Sequence, residues 1–224
     1  MNDSIALIIP ALGMPDLGEM LESMKDNKFD EIIVVIDNTA RRYLPDSQKA
    51  DIEYFKRKYL FVRWFENNGN GMINETINVG FAHSTSEWIW ITHEDVLFPQ
   101  QIKPHPNYRY DLRIKTVIRS LDSGLYPRDK QSIMMHYYQI PNGLDTRMFA
   151  HLENDNYVSD IGGGGGCTGI TTVLHRSVIE RIGKDNDCVG FDLKYCTYYD
   201  TQVAADSCNN HWTGVAIHDA PAIL

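Results

Sequence analysis

Three short, nearly unbroken apolar runs constrain this chain more than any other feature: Ile5-Ala-Leu-Ile-Ile9, Glu31-Ile-Ile-Val-Val-Ile36 and Trp88-Ile-Trp-Ile-Thr92. A strand with one face in water alternates apolar with polar residues. A run without alternation has both faces covered, as in parallel sheets packed between helices. The stretch between the first two runs has helical spacing, with Leu17, Met20, Leu21 and Met24 on one face and Asp16 as the expected N-cap. Strand, helix, strand of this length is a βαβ unit. The alternation continues with a helix over Ile52 to Lys58, a short strand over Phe61 to Phe65, a turn at Asn67-Asn-Gly-Asn-Gly71 and a helix over Met72 to His83. The expectation is an α/β sheet with helices on both faces.

Beyond Pro99 the character changes. Tyr108 to Leu121 reads as a helix. Ser132 to Ile140 and Thr146 to Leu152 read as strands around the hairpin signal Pro141-Asn-Gly143. The run Gly162 to Gly166 is too rich in glycine for a regular element. Ile170 to Leu174 follows as a strand, then Ser177 to Ile182 as a helix closed by Gly183.

The 224 residues suit one domain, or one domain with an appended lobe. With 43% hydrophobic residues the chain can form a core without disulfides or a structural metal. A net charge of −9 argues against nucleic acid as a partner, because phosphate neutralisation needs a basic face. If the ligand is an anionic nucleotide, a divalent cation helps bring it onto so acidic a protein. Cys167, Cys188, Cys196 and Cys208 form no C-x-x-C pair. Reduced thiols in a cytosolic protein are expected, with one or two disulfides in an oxidising compartment as the alternative. No apolar run approaches the roughly 20 residues of a membrane span, and Ile5 to Leu12 lacks the basic flank of a signal peptide.

Open α/β sheets bind ligands outside the carboxyl ends of their strands. Here those ends carry Pro10-Ala-Leu-Gly13, Asp37-Asn38, Asn67-Asn68-Gly69 and His93-Glu94-Asp95. Carboxylates after a strand, facing a diphosphate, suit Mg²⁺ or Mn²⁺, which take oxygen ligands and keep open positions for phosphate.

The succession Ile-Ile-Pro10, Ile-Ile-Val-Val-Ile-Asp37, Asn68-Gly69, Ile77-Asn-Val-Gly80 and Trp-Ile-Trp-Ile-Thr-His-Glu-Asp95 resembles the nucleotide-binding half of family-2 glycosyltransferases. The resemblance covers Ile5 to Pro99 closely and Gly162 to His218 loosely. It implies an α/β chain of the GT-A (Rossmann-like) fold: a mixed, mostly parallel central sheet with flanking helices and a smaller acceptor-side β-hairpin region. A single domain over 1–224 is expected, with a nucleotide-sugar-binding half at 1–99 and an acceptor-side half at 100–224. The implied activity is inverting transfer of a sugar from a nucleoside-diphosphate sugar, by default a UDP-sugar, to a glycan or other hydroxyl acceptor. Mn²⁺ or Mg²⁺ assists.

Position by position, the resemblance places Pro10 at the first strand end of the donor site. Asp37 falls against the base, Asn68 in the loop flanking the nucleoside, and Glu94 near the ribose. Asp95 falls on the metal. The family's aspartate-rich triplet is here His-Glu-Asp, so His93 is a departure. Tyr199-Asp200 resembles the acidic motif whose carboxylate is the general base, with Asp192 and then Asp187 as alternatives. His218, after Val215-Ala-Ile217, stands where a C-terminal metal ligand is expected; imidazole suits Mn²⁺ better than Mg²⁺. The glycine run passes beneath the donor sugar, forms a mobile acceptor wall or is a flexible connector, and the resemblance favours the first. Tyr108, Arg109, Tyr110, Arg113, Tyr137, Tyr138 and Arg147 are either an acceptor groove or half-buried structure. Two alternatives are a catalytically silent nucleotide-sugar binding module and a sugar-phosphate nucleotidyltransferase. The latter needs a basic glycine-rich loop that Pro10 to Pro15 lacks.

Overall fold

The computed structural model describes residues 3–67, 69, 73–98, 101–102, 105–106, 109–121, 131–138, 158–163, 171–193, 202–203 and 213–223. Of the residues singled out in the sequence, Asn68, Tyr108, Arg147, Asp200, Cys167, Cys196 and Cys208, the glycines Gly164 to Gly166, the expected Pro141-Asn-Gly143 turn and the expected strand Thr146 to Leu152 lie outside the described residues.

The three apolar runs form β1 (Ile5–Ala11), β2 (Glu31–Asp37) and β4 (Trp88–Thr92), and all of their residues except Glu31 are buried. Between and after them come α1 (Asp16–Met24), α2 (Asn38–Arg41), α3 (Ile52–Lys58), β3 (Arg63–Asn67) and α4 (Ile73–His83). The rest comprises β5 (Gln101–Ile102), β6 (His105–Pro106), α5 (Tyr110–Leu121), β7 (Gln131–Tyr138), β8 (Val158–Gly163), β9 (Thr171–His175), α6 (Arg176–Asp185) and β10 (Thr213–Ile223). Eight strands join one sheet in the order β3-β2-β1-β4-β9-β7-β10-β8, and β5 pairs β6 in a small separate ribbon. The strands β3, β2, β1 and β4 are mutually parallel, as are β7 and β10, while β9 and β8 run antiparallel to their neighbours. This is the expected mixed, mostly parallel sheet.

Because side chains alternate across a strand, each buried strand feeds two cores. Ile5, Leu7 and Ile9 of β1, with Ile32, Val34, Trp88 and Trp90, meet α1 and α5. Ala6 and Ile8, with Ile33, Val35, Ile89 and Ile91, meet α4 and α6. The helices match their sides. In α1 the buried residues are Leu17, Met20, Leu21 and Met24; in α5 the buried apolar residues are Tyr110, Ile114, Val117 and Ile118. Both sets follow helical spacing. No helix among the described residues is long and apolar enough to cross a membrane.

Four local expectations change. Asp16 is not the N-cap of α1. Pro15 already has helical dihedrals and no side chain caps the end, so Asp16 sits in the first turn, where its charge still favours the helix dipole. The strand expected at Phe61 begins at Arg63, where pairing with Ile33 starts; Leu60 and Phe61 lie exposed before it. Gly183 does not close α6, which runs on to Asp185. Gly183 is instead a point of close approach, where a Cβ would lie 2.6 Å from the Cys188 carbonyl oxygen. The glycine run is not wholly irregular either: Gly162 and Gly163 end β8, paired to β10.

Helix α4 lies tightly on the sheet at Gly80, where a Cβ would sit 2.6 Å from Ile8 Cγ2 and 3.3 Å from Val35 Cγ2. Close-packed cores resist added volume. Gly80→Val is therefore expected to lower the unfolding free energy by about 1–3 kcal/mol, whereas Ala82→Val, on the exposed side of the same helix, leaves it nearly unchanged. Urea denaturation midpoints of the two variants check this.

Candidate functional site

The carboxyl ends of β1, β2 and β4 open into one cleft of about 320 Å³. It is lined by Pro10, Ala11, Leu12, Met14, Asp37, Ala40, Ile73, Thr76, His93, Glu94 and Asp95. The expected site residues Pro10, Asp37, Glu94 and Asp95, spread over 86 positions from 10 to 95, are thus brought together. The apolar part comes from the loop after β1 and the start of α4. The acidic part comes from the ends of β2 and β4.

Asp37 is buried, and its Oδ1 accepts from the Ala40 backbone N–H at 2.9 Å, capping the short helix α2. Asp37 lines the cleft, and its Oδ2 has no hydrogen-bond partner among the described residues. Asp95 is exposed and makes no hydrogen bond or ion pair with the described residues. A carboxylate in that condition is available to a hard cation.

Glu94 behaves differently. It is only 5% exposed. Its Oε1 accepts from the Leu12 N–H at 2.6 Å, and its Oε2 accepts from the N–H groups of Gly13 and Met14 at 3.0 Å each. Three successive amides converging on an anion make a nest, the kind of concavity that elsewhere takes a phosphate. Here the protein's own carboxylate fills it. Gly13 permits the curl, with φ at +74°. Burial pushes the Glu94 carboxyl up to about 7, the neighbouring Asp95 adds to this, and the three amides pull the other way without prevailing.

His218 lies on β10. The strand register aligns Ile91, Thr172, Met134 and Ala216 in one row across β4, β9, β7 and β10. β4 and β10 run in the same direction across that row, and His93 and His218 each come two residues after it in sequence. Directly after Ile217 the β10–β7 pairing shifts register and resumes at Ala222, so His218 and Asp219 fall in the interrupted stretch. Asp192 is buried near the start of α4: Asn74 Nδ2 donates to its carbonyl at 3.1 Å, and Asn78 is paired with Phe191 in both directions at 2.7 Å. Asp187 is exposed beyond α6 with φ at +53°. In the middle section, Arg109 forms a two-point pair with Asp111, and Tyr110 is fully buried against Phe98. Cys188 forms no disulfide among the described residues, and its Sγ donates to the Gly190 carbonyl at 3.3 Å.

The apolar lining from Leu12, Met14, Ala40 and Ile73 carries no sequence signal of its own. Gly13 was the one visible hint that the loop bends sharply.

The sequence profile of the family described as Glycosyl transferase family 2 matches residues 6–183. No protein of curated function matches the sequence significantly. Among solved structures, the chain is similar to S. aureus TarS 1–349 in complex with UDP-GlcNAc, with a TM-score of 0.63, 14% identity, and coverage of 99% of this chain and 58% of that one. It is also similar to the mannosyltransferase PcManGT from Pyrobaculum calidifontis in complex with GDP-Man and Mn²⁺, with a TM-score of 0.63, 16% identity, and coverage of 100% and 57%. At this identity the likeness establishes the fold, GT-A. The chain spans about three-fifths of the length of these structures.

Glu94→Gln replaces one acceptor oxygen of the nest with a donor. The expected cost is about 1–3 kcal/mol at pH 5, for one buried amide left unsatisfied. The folded-state value of about 7 lies above the ordinary 4.5. Stability from the neutral acid is therefore full below 4.5 and lost as pH rises through 7. The gap between wild type and variant narrows over that window in denaturation curves taken from pH 5 to 8.

Proposed function

Since the chain belongs to glycosyl transferase family 2, we propose that it moves a sugar from a nucleoside-diphosphate sugar, by default a UDP-sugar, to a hydroxyl acceptor with inversion and with help from a divalent cation. The observation that carries this reading is the convergence of Asp37 and Asp95 on one cleft, each with an unspent carboxylate oxygen, on either side of an apolar wall. An acceptor at Asp37 suits an N–H edge of a base, and the apolar wall suits its face. Pro10 and Glu94 border the donor, and Asn68 belongs to the same reading.

Asp95 is the residue that would hold Mn²⁺ or Mg²⁺, with His218 as a further ligand from β10. Its exposed carboxylate fits a hard cation, and an imidazole as a further ligand would suit Mn²⁺. When bound, such a cation supplies Lewis-acid stabilisation to the leaving diphosphate. The filled nest supports this need: the amides of the first loop are already spent on Glu94, so they do not neutralise phosphate. Asp200 is read as the base that takes the proton from the acceptor hydroxyl as its oxygen attacks the anomeric carbon. In this reading residues 1–99 form the donor half and 100–224 the acceptor half of one domain. A nucleotidyltransferase is disfavoured because it would need those same loop amides, with a basic residue, for the triphosphate.

Asp95→Ala is expected to remain folded by circular dichroism and to lose cation-dependent hydrolysis of the donor, about 100-fold or more for removal of a transition-state electrostatic contact. Released nucleoside diphosphate, not pyrophosphate, is the product to assay. Unchanged turnover in the variant sinks the assignment of Asp95. Nucleotide binding without turnover against any acceptor would instead favour a silent binding module.

A further inference from the structure

The loop Leu12 to Met14 is gripped from two sides. Glu94 takes its amides. Behind it, the guanidinium of Arg41 takes its carbonyls: Nη1 donates to the Leu12 carbonyl at 2.8 Å and to the Gly13 carbonyl, and Nη2 donates to the Ala50 carbonyl at 2.7 Å. The Gly13 carbonyl also accepts from the Ala50 N–H at 2.9 Å. Arg41 has no ion pair among the described residues, so its charge is directed at backbone alone. Gly13 lies against the guanidinium, and a Cβ there would also come within 2.7 Å of Ile52 Cδ1.

Arg41 closes α2, the single turn that Asp37 caps at its start. The two ends of that turn therefore face different ways. Asp37 lines the cleft, while Arg41 reaches behind it to the loop. With amides and carbonyls both engaged, the loop offers the cleft its side chains, Leu12 and Met14. The wall and the Asp37 acceptor are consequently one mechanical unit.

We infer that Arg41 is a positioning residue for the nucleotide: acting with Glu94 through the loop Leu12 to Met14, it holds the apolar wall in the geometry the ligand meets. This rests on the donor reading of the cleft. A wall ordered before binding avoids the entropic cost of ordering it during binding. Residues that orient metal ligands typically matter by about 10- to 100-fold in affinity, and an effect at the lower end of that range is expected for a residue that orients a wall.

The test is calorimetry of UDP and of GDP, each with Mn²⁺, on wild type, Arg41→Met, Arg41→Gln, Glu94→Gln and the Arg41→Met/Glu94→Gln double variant. Ile118→Ala, a cavity in α5, which lends no residue to the cleft, serves as a destabilised control. Wild type is expected to bind at least one nucleotide. Arg41→Met weakens that binding by about tenfold or more, Arg41→Gln weakens it less, and Ile118→Ala leaves it alone. The double variant weakens it by less than the product of the two single effects, because both act through one loop. Should Arg41→Met fail to fold, Arg41→Gln decides: measurable weakening supports the inference and wild-type affinity overturns it. Affinity unchanged in both Arg41 variants, or the same loss in Ile118→Ala, also overturns it. Wild type binding neither nucleotide would instead refute the donor reading itself, a different failure.

Discussion

The cleft depends on one buried carboxylate. Glu94 leaves the end of β4 and turns into the protein, where it gathers the amides of Leu12, Gly13 and Met14. This ties the end of β4 to the loop after β1, the two elements that carry the acidic and the apolar sides of the site. Without such an anchor the loop would have three amides to satisfy at a buried turn, and unsatisfied buried donors are costly. The same turn inward separates two adjacent acids: Glu94 becomes part of the frame, and Asp95 stays in solvent with its oxygens unspent.

The frame is set in a sheet with two covered faces. Alternating side chains of β1, β2 and β4 feed one core under α1 and α5 and another under α4 and α6. Helix α5 and strand β9 come from beyond residue 99, yet Tyr110, Ile114 and Val173 share the core of the first strands. The strand ends that form the cleft are thus held from below on both sides. Against that rigid floor, α4 contributes Ile73 and Thr76 to the cleft while Asn74 and Asn78 hold the Phe191–Asp192 backbone beside it. An asparagine side chain can donate and accept at once, which suits it to fastening an irregular segment onto a helix.

Much of this was legible from residue order. Buried runs without alternation announced parallel strands, and the acids at their ends marked the strand ends that open into the cleft. Asp37 and Asp95 were identified by type and place, and both are found in the cleft. Arg41 was invisible in this sense. Its neighbours in sequence form a four-residue helix too short to show periodicity, and its partners are carbonyls, which every residue carries. The division of labour between Glu94 and Asp95 was equally hidden, since the two acids are adjacent and chemically alike.

What the sequence determined by itself was the pattern of burial: which runs have two covered faces, which helices have one apolar stripe, and therefore an α/β sheet with polar strand ends. That follows from the periods of strand and helix, which are local properties. What only the tertiary structure decided was direction. Whether a carboxylate at a strand end faces solvent or turns in depends on which amides lie within reach, and those belong to a loop 80 residues away in the chain. The packing of β1 beside β4 put that loop there, and so made Glu94 an anchor and left Asp95 exposed at the cleft.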